Sequence, residues 1–201
     1  MVWLEVETKV RIKDRNKLRK KIQKIARFVK RESRGDDYFA LKRKFRKHAY
    51  PKKAFRIRKK PDKFEINFKK WLKKYWDKDI IVKQEFEFTL KNKEHVEDLL
   101  ALFKDLGFEQ WIKKRKTSES YHHKKDKRII IEINHVKHLG YFMEIEYLCQ
   151  PYEMEKAKRK IRNVLKELGI KKEQIDNTGY TKMLWKKGIK DKKYWVGEFR
   201  E

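Results

Sequence analysis

Residues 2–12 read VWLEVETKVRI. The even positions are Val2, Leu4, Val6, Thr8, Val10 and Ile12, and the odd ones include Glu5, Glu7, Lys9 and Arg11. A period of two is strand periodicity, and here it parts an apolar face from a fully charged one. The charged face mixes both signs, which a face meeting only water does not need. Five later segments repeat the pattern. In 54–60, Phe55 and Ile57 alternate with Arg56, Arg58 and Lys60; in 64–69, Phe64, Ile66 and Phe68 alternate with Glu65, Asn67 and Lys69. In 82–88, Val82, Phe86 and Phe88 alternate with Lys83, Glu85 and Glu87. In 128–134, Ile129, Ile131 and Ile133 alternate with Arg128, Glu132 and Asn134. In 141–147, Met143, Ile145 and Tyr147 alternate with Glu144 and Glu146.

An antiparallel sheet ordinarily turns its polar face to water. These faces instead cluster, with carboxylates on the first, fourth and last strands and bases on the second and third. Curled into a barrel, such a sheet has a lumen lined by Glu, Lys and Arg, and a barrel of about eight strands holds side chains or one small ligand. Buried charge costs several kcal/mol unless paired. Carboxylates holding a divalent ion and bases holding phosphate satisfy both signs. Solvated strand faces with incidental ion pairs are the alternative.

Helices interrupt the strands. Asp14 reads as an N-cap, followed by an apolar stripe of Leu18, Ile22, Ile25 and Val29 that ends at Arg34-Gly35-Asp36. Asp37-Tyr38-Phe39 begins a short extended piece, and a basic loop runs from Lys42 to Lys53. Residues 93–106 and 153–168 carry helical stripes stopped by Gly107 and Gly169. A short helix starts near Thr181, and the chain is irregular from Gly188 onward.

The 201 residues carry a formal charge of +28, with 44% charged and 13% aromatic residues. The aromatic content excludes a disordered chain, and no apolar run spans a membrane. The N-terminal MVWLEVETK lacks a secretory signal's apolar core, which predicts a cytoplasmic protein. Three Pro and no Ser- or Gly-rich linker predict one domain over 1–201, with its core at about 2–185 and a basic tail at 186–201. The charge points to polyanionic partners, and nucleic acid is a secondary one. None of the seven Gly belongs to a GxxxxGK[ST] or GxGxxG loop, so side chains must hold any phosphate. His122, His123, His135 and His138 flank basic turns without a zinc ligand set, and Cys149 has no His partner that would make it a nucleophile.

The order of these motifs resembles the CYTH superfamily, the triphosphate tunnel metalloenzymes. Glu5-Val6-Glu7-Thr8-Lys9 is similar to its ExExK signature. Asp37-Tyr38-Phe39, Arg56-x-Arg58, Lys69 and Lys83-x-Glu85-x-Glu87 follow, then Leu106-Gly107-Phe108 and the basic cluster 113–116 at the KxR position. LGYFMEIE at 139–146 looks like LGxFxEIE, and Tyr180 with Met183-Leu184 resembles the family's last helix. The nearest likeness is to class IV adenylate cyclases and thiamine triphosphatases.

The resemblance implies an α+β fold, a closed eight-stranded antiparallel β-barrel with a charged lumen and helices outside. It implies a divalent-metal-dependent enzyme, using Mg²⁺ or Mn²⁺, that acts on a triphosphate-containing small molecule by in-line attack at phosphorus. Inorganic triphosphate, nucleoside triphosphate and thiamine triphosphate are the candidate substrates. A class IV cyclase making cyclic AMP and pyrophosphate is the alternative, and a non-catalytic polyphosphate or RNA-binding module is a second. Glu5, Glu7 and Lys9 would form the catalytic set. Glu5, Glu7 and Glu144 would be the leading metal ligands, supported by Glu146, Glu85 and Glu87. Lys9, Arg56, Arg58, Lys69, Lys83, Lys113 and Arg115 would hold phosphate oxygens, with the register of the basic cluster open between Lys113/Arg115 and Lys114/Lys116. The family also admits homodimers. Two departures stand out: Asn134 replaces an Asp common in the strand before LGxF, and KWLKKYWDKD at 70–79 replaces the usual Gly-Pro. Trp71, Tyr75 and Trp76 there could form a lid, a partner surface or a packed edge.

Overall fold

The computed structural model describes residues 3–42, 50–51 and 53–190. Eight strands close into a barrel in the order β1-β5-β4-β3-β2-β6-β7-β8. They are β1 (Leu4–Arg11), β2 (Ala26–Leu41), β3 (Ala54–Lys59), β4 (Phe64–Trp71), β5 (Ile81–Leu90), β6 (Phe108–His123), β7 (Ile129–Val136) and β8 (Gly140–Cys149). Among the described residues four helices lie outside: α1 (Arg15–Ile25), α2 (Lys93–Asp105), α3 (Met154–Glu167) and α4 (Tyr180–Lys190). No helix among the described residues is long and apolar enough to cross a membrane. The chain forms two compact units, one of Met1–Ser33, Lys69–Glu85 and Lys116–Asn177, the other of Arg34–Phe68, Phe86–Arg115 and Thr178–Glu201.

In the first unit, β1 lies antiparallel between β5 and β8, and β7 pairs with both β8 and β6. The apolar faces of these strands turn outward and are sealed by α1 and α3. Leu4, Val6, Val10, Ile131, Ile133, Met143 and Ile145 pack with Leu18 and Ile22 of α1 and with Ala157, Ile161 and Val164 of α3. Asp14 caps α1 as expected, its side chain accepting from the Lys17 amide at 2.9 Å. The charged faces therefore turn inward.

The α1 stripe stops sooner than its periodicity predicts. The helix ends at Ile25, and Val29 sits half-exposed on β2, which runs on through the Arg34-Gly35-Asp36 stretch expected to break it. Phe28, Val29, Tyr38 and Phe39 favour extended backbone, and Lys124 ends the helix by donating its amide to the Ile25 carbonyl and its ammonium to that of Lys24. The 70–79 stretch is a packed edge. Lys73–Tyr75 forms a single 3₁₀ turn, Leu72, Tyr75 and Trp76 rest on the core, and the Trp76 indole donates to the Val82 carbonyl at 2.9 Å.

In the second unit, β3 pairs with β2 and β4, and Phe55, Ile57 and Ile66 pack beneath Val96, Leu99 and Phe103 of α2. Trp185 on α4 meets Trp111 and Tyr50 edge-on. α4 continues to Lys190, past the Lys186 at which the tail was expected to begin. Most of the 42–53 loop, and Tyr194, Trp195 and Val196 of the tail, lie outside the described residues.

Candidate active site

Strand register builds the first constellation. Across β1 and its neighbours, Glu5 stands opposite Lys83, Glu7 opposite Glu146 and Lys9 opposite Glu144; across β7 and β8, Glu132 stands opposite Glu144. A two-residue period places all of these on one face. Glu5, Glu7, Lys9, Glu132 and Glu144 are buried and Glu146 half-buried. Their carboxylates form two groups, Glu5/Glu7/Glu146 and Glu132/Glu144/Glu146, each with one oxygen per residue lying within 4.8 Å of the others. Glu146 belongs to both.

Lysines interleave with these acids. Lys83 Nζ lies 2.5 Å from Glu7 Oε1 and 3.5 Å from Glu5 Oε1, and Lys69 pairs with Glu5 and, at 3.4 Å, with Glu85. Lys116 bonds Glu132 at 3.0 Å and lies 3.6 Å from Glu144. Ser120 donates to Glu132 at 3.0 Å; Asn134 donates to Glu144 at 2.7 Å and accepts from Ser118 at 2.5 Å. Asn134 thus orients a carboxylate from the position where the family often has an Asp.

The charges are not balanced one for one. Burial would raise Glu5, but Lys69 and Lys83 outweigh it and hold the carboxyl well below its ordinary value. Burial wins at Glu7, pushed up to about 7 with Glu5 adding to the rise against Lys83. Burial also drives Glu146 well above its ordinary value, and Glu5, Glu132, Glu144 and Glu7 all push the same way. Burial draws Lys9 down to about 8 despite Glu144 and Glu7. Glu5 Oε1 is buried and accepts no hydrogen bond. An all-oxygen set of clustered carboxylates that repel one another, with one oxygen left without a donor, fits a hard divalent cation.

A second constellation lies in the other unit. Asp36, fully buried, accepts from Arg58 Nε at 2.6 Å and Nη2 at 3.1 Å, with Lys114 Nζ at 2.7 Å and Arg56 Nη1 at 3.6 Å. Burial opposes its ionisation, but Lys114, Arg56 and Arg58 hold it well below the usual range. Tyr38, beneath the Lys114 ammonium at 5.5 Å, is likewise drawn down by Lys114 and Arg56 against burial. Three cations around Asp36 leave positive charge for an anion.

The structure therefore brings Glu5, Glu7, Lys9, Lys69, Lys83, Glu144 and Glu146 together, with Glu85 at the margin through Lys69. Glu87 departs from expectation: it is exposed, outside both carboxylate groups, and accepts from Asn67 at 3.3 Å. Lys113 and Arg115 also depart. Both are exposed, and Arg115 pairs with Asp37 at 3.2 Å, while Lys114 and Lys116 take the buried face of β6. Alternation on β6 allows only one of the two pairs inside. Sequence reading missed Glu132 and Asp36 as site residues, and of the two registers it left open for the basic cluster the structure takes Lys114/Lys116. Glu132 was legible as the charged partner of Ile131 and Ile133, whereas Asp36 and the lysines lie on long strands that the sequence does not phase. His123 hydrogen-bonds Glu167 at 3.2 Å and His135 packs on Tyr141. Burial raises Cys149 to about 11, which keeps it an inert thiol.

The CYTH domain family matches residues 4–180. The chain belongs to the CYTH family. It is 31% identical over 183 residues to "Putative adenylate cyclase MJ0240" of Methanocaldococcus jannaschii, covering 90% of this chain and 98% of that one. Among solved structures it resembles the PH1012 protein of Pyrococcus horikoshii, with a TM-score of 0.70, 28% identity, and 89% of this chain and 98% of that one covered. The Hippeastrum protein HpAC1, described as having a dominant triphosphatase activity, aligns with a TM-score of 0.62 over 92% of this chain and 96% of its own; at 16% identity it shows the fold alone. In this CYTH chain the glutamates of the two signatures, Glu5, Glu7, Glu144 and Glu146, together with Glu132 make up the two carboxylate groups.

Proposed function

We propose that this CYTH protein is a divalent-metal-dependent enzyme that acts on a triphosphate by in-line attack at phosphorus. The observation that carries the reading is the pair of carboxylate groups sharing Glu146. A binder of polyanions gains nothing from buried carboxylates. Glu5, Glu7, Glu132, Glu144 and Glu146 would hold Mg²⁺ or Mn²⁺, which supplies neutralisation of the charge developing at phosphorus. Lys9, Lys69, Lys83 and Lys116 orient these carboxylates and donate to phosphate oxygens. Arg56, Arg58 and Lys114 give the anion a set of fixed donors whose orientation is already set by Asp36. Hydrolysis of inorganic, nucleoside or thiamine triphosphate is the preferred reaction, and the cytoplasm its setting. Cyclisation of ATP is the second reading, favoured by the name of the Methanocaldococcus relative.

The test is ³¹P NMR of the protein with ATP and with tripolyphosphate, in Mg²⁺ or Mn²⁺ and in EDTA. Orthophosphate released from tripolyphosphate only with metal establishes the triphosphatase. Pyrophosphate and a cyclic phosphodiester from ATP establish the cyclase. Tight binding without any product overturns both in favour of a binding module.

A further inference from the structure

Between Lys13 and Arg31 the chain carries ten Lys or Arg and one Asp. Among the described residues, only Arg19 and Lys30 of the ten reach a carboxylate, on Glu119 and Glu32. Helix α3 of the same unit is treated differently: Lys158, Lys160 and Arg162 are paired with Asp77, Asp126 and Asp79. On α1, Lys17/Lys21 and Lys20/Lys24 are like charges four residues apart, which repel. The chain leaves that repulsion uncompensated on one side of the molecule.

Lys17, Lys20 and Lys24 are exposed on α1, while Leu18 and Ile22 anchor the helix in the core. Arg27 on β2 follows, and Lys124 joins the turn carrying Lys125 and Lys127 to the end of α1 through its bonds to the Ile25 and Lys24 carbonyls. Phe28, beside Arg27 in the sequence, is 56% exposed, its ring braced edge-on against Tyr121 at 5.6 Å. Nearer the start of α1, a cleft of about 70 Å³ opens between Arg15 and Arg31, floored by Thr117, His135 and Tyr141, with Glu119 on its wall. The Arg15 guanidinium is fixed there, 5.1 Å over the Tyr141 ring and donating to its hydroxyl at 3.2 Å.

We propose that this face of α1, the start of β2 and the 124–127 turn binds single-stranded nucleic acid. The site is distinct from the carboxylate groups, which lie on the opposite, inward face of the same sheet. Lys17, Lys20, Lys24, Arg27 and the turn lysines meet successive phosphates, the cleft at Arg15 and Arg31 seats one of them, and Phe28 offers a held ring to a base. An anionic membrane fits less well. α1 has no apolar face to insert, because Leu18 and Ile22 are already in the core.

The test is fluorescence anisotropy of a labelled single-stranded RNA of about twenty nucleotides with a 5′-hydroxyl, measured in EDTA over a salt series. The wild type binds, with log Kd linear in log salt at about 0.7 per phosphate neutralised. The triple variant Lys17→Gln/Lys20→Gln/Lys24→Gln weakens binding by about tenfold or more and reduces that slope by about 2. Its turnover and circular dichroism stay those of the wild type. Phe28→Ala weakens binding with the slope unchanged. Unaltered RNA affinity in the triple variant, or stoichiometric displacement of the RNA by tripolyphosphate, overturns the assignment. Binding to phosphatidylserine vesicles without any RNA binding overturns it in favour of a membrane.

Discussion

Glu5 and Glu144 occupy different carboxylate groups, and each has a neutral counterpart of the same shape in glutamine. Glu5→Gln or Glu144→Gln should lower metal-dependent turnover by at least about a hundredfold while far-UV circular dichroism and cooperative melting persist. Full activity in either variant would refute the metal assignment. Arg58 is a different case, because it holds Asp36 through two bonds at 2.6 and 3.1 Å. Arg58→Ala removes one of the proposed phosphate donors and should weaken tripolyphosphate binding more than pyrophosphate binding by calorimetric titration. Equal losses would show that the site does not measure three phosphates. ExExK and EIE were legible as residues because period two alone assigns them a face. Lys114 against Lys113 was not, since adjacent lysines differ only in which way the strand turns them.

At the scale of elements, α1 and β2 separate what periodicity reads from what packing decides. Ile22 is wholly buried in the core, whereas Val29, fourth in the same sequence stripe, is 48% exposed on β2. Ile22→Ala should cost about 2–5 kcal/mol and Val29→Ala about 0.5 kcal/mol, read as midpoints in urea. Equal losses would return Val29 to the helix and the core. The short alternating strands β1, β3, β4, β7 and β8 are close to their predicted bounds because each pairs its period-two pattern with a nearby turn. β2 and β6, sixteen residues each, have no such pattern over much of their length. Their inward residues mix Asp, Lys and Ser, so no apolar alternation marks the face.

For the molecule as a whole, the buried acids link stability to pH and metal. Moving Glu7 from its ordinary 4.5 to about 7 corresponds to about 3 kcal/mol. The fold favours protonated Glu7, so this contribution is complete below pH 4.5 and is lost as pH rises through 7; Glu146, raised in the same direction, adds to it. Glu5, Glu144 and Asp36 are depressed, and their contribution disappears only at more acid pH. Calorimetry in EDTA should therefore show Tm falling from about pH 5 to about pH 7.5. Mg²⁺ or Mn²⁺ should restore it most at the upper end, because the ion requires deprotonated ligands. A Tm that rises across this window, or a metal effect independent of pH, would count against the carboxylate site.

The sequence by itself determined the strands with two faces, the helices that cover the apolar one, and the signature glutamates, because each follows from local periodicity and residue type. Only the tertiary structure decided which charges meet. That Glu146 joins two carboxylate groups, that Lys116 and Asn134 set the position of Glu144, and that Asp36 gathers Arg56, Arg58 and Lys114 all depend on register between strands far apart in the chain. The energy of such contacts comes from burial and mutual field, which no single strand contains.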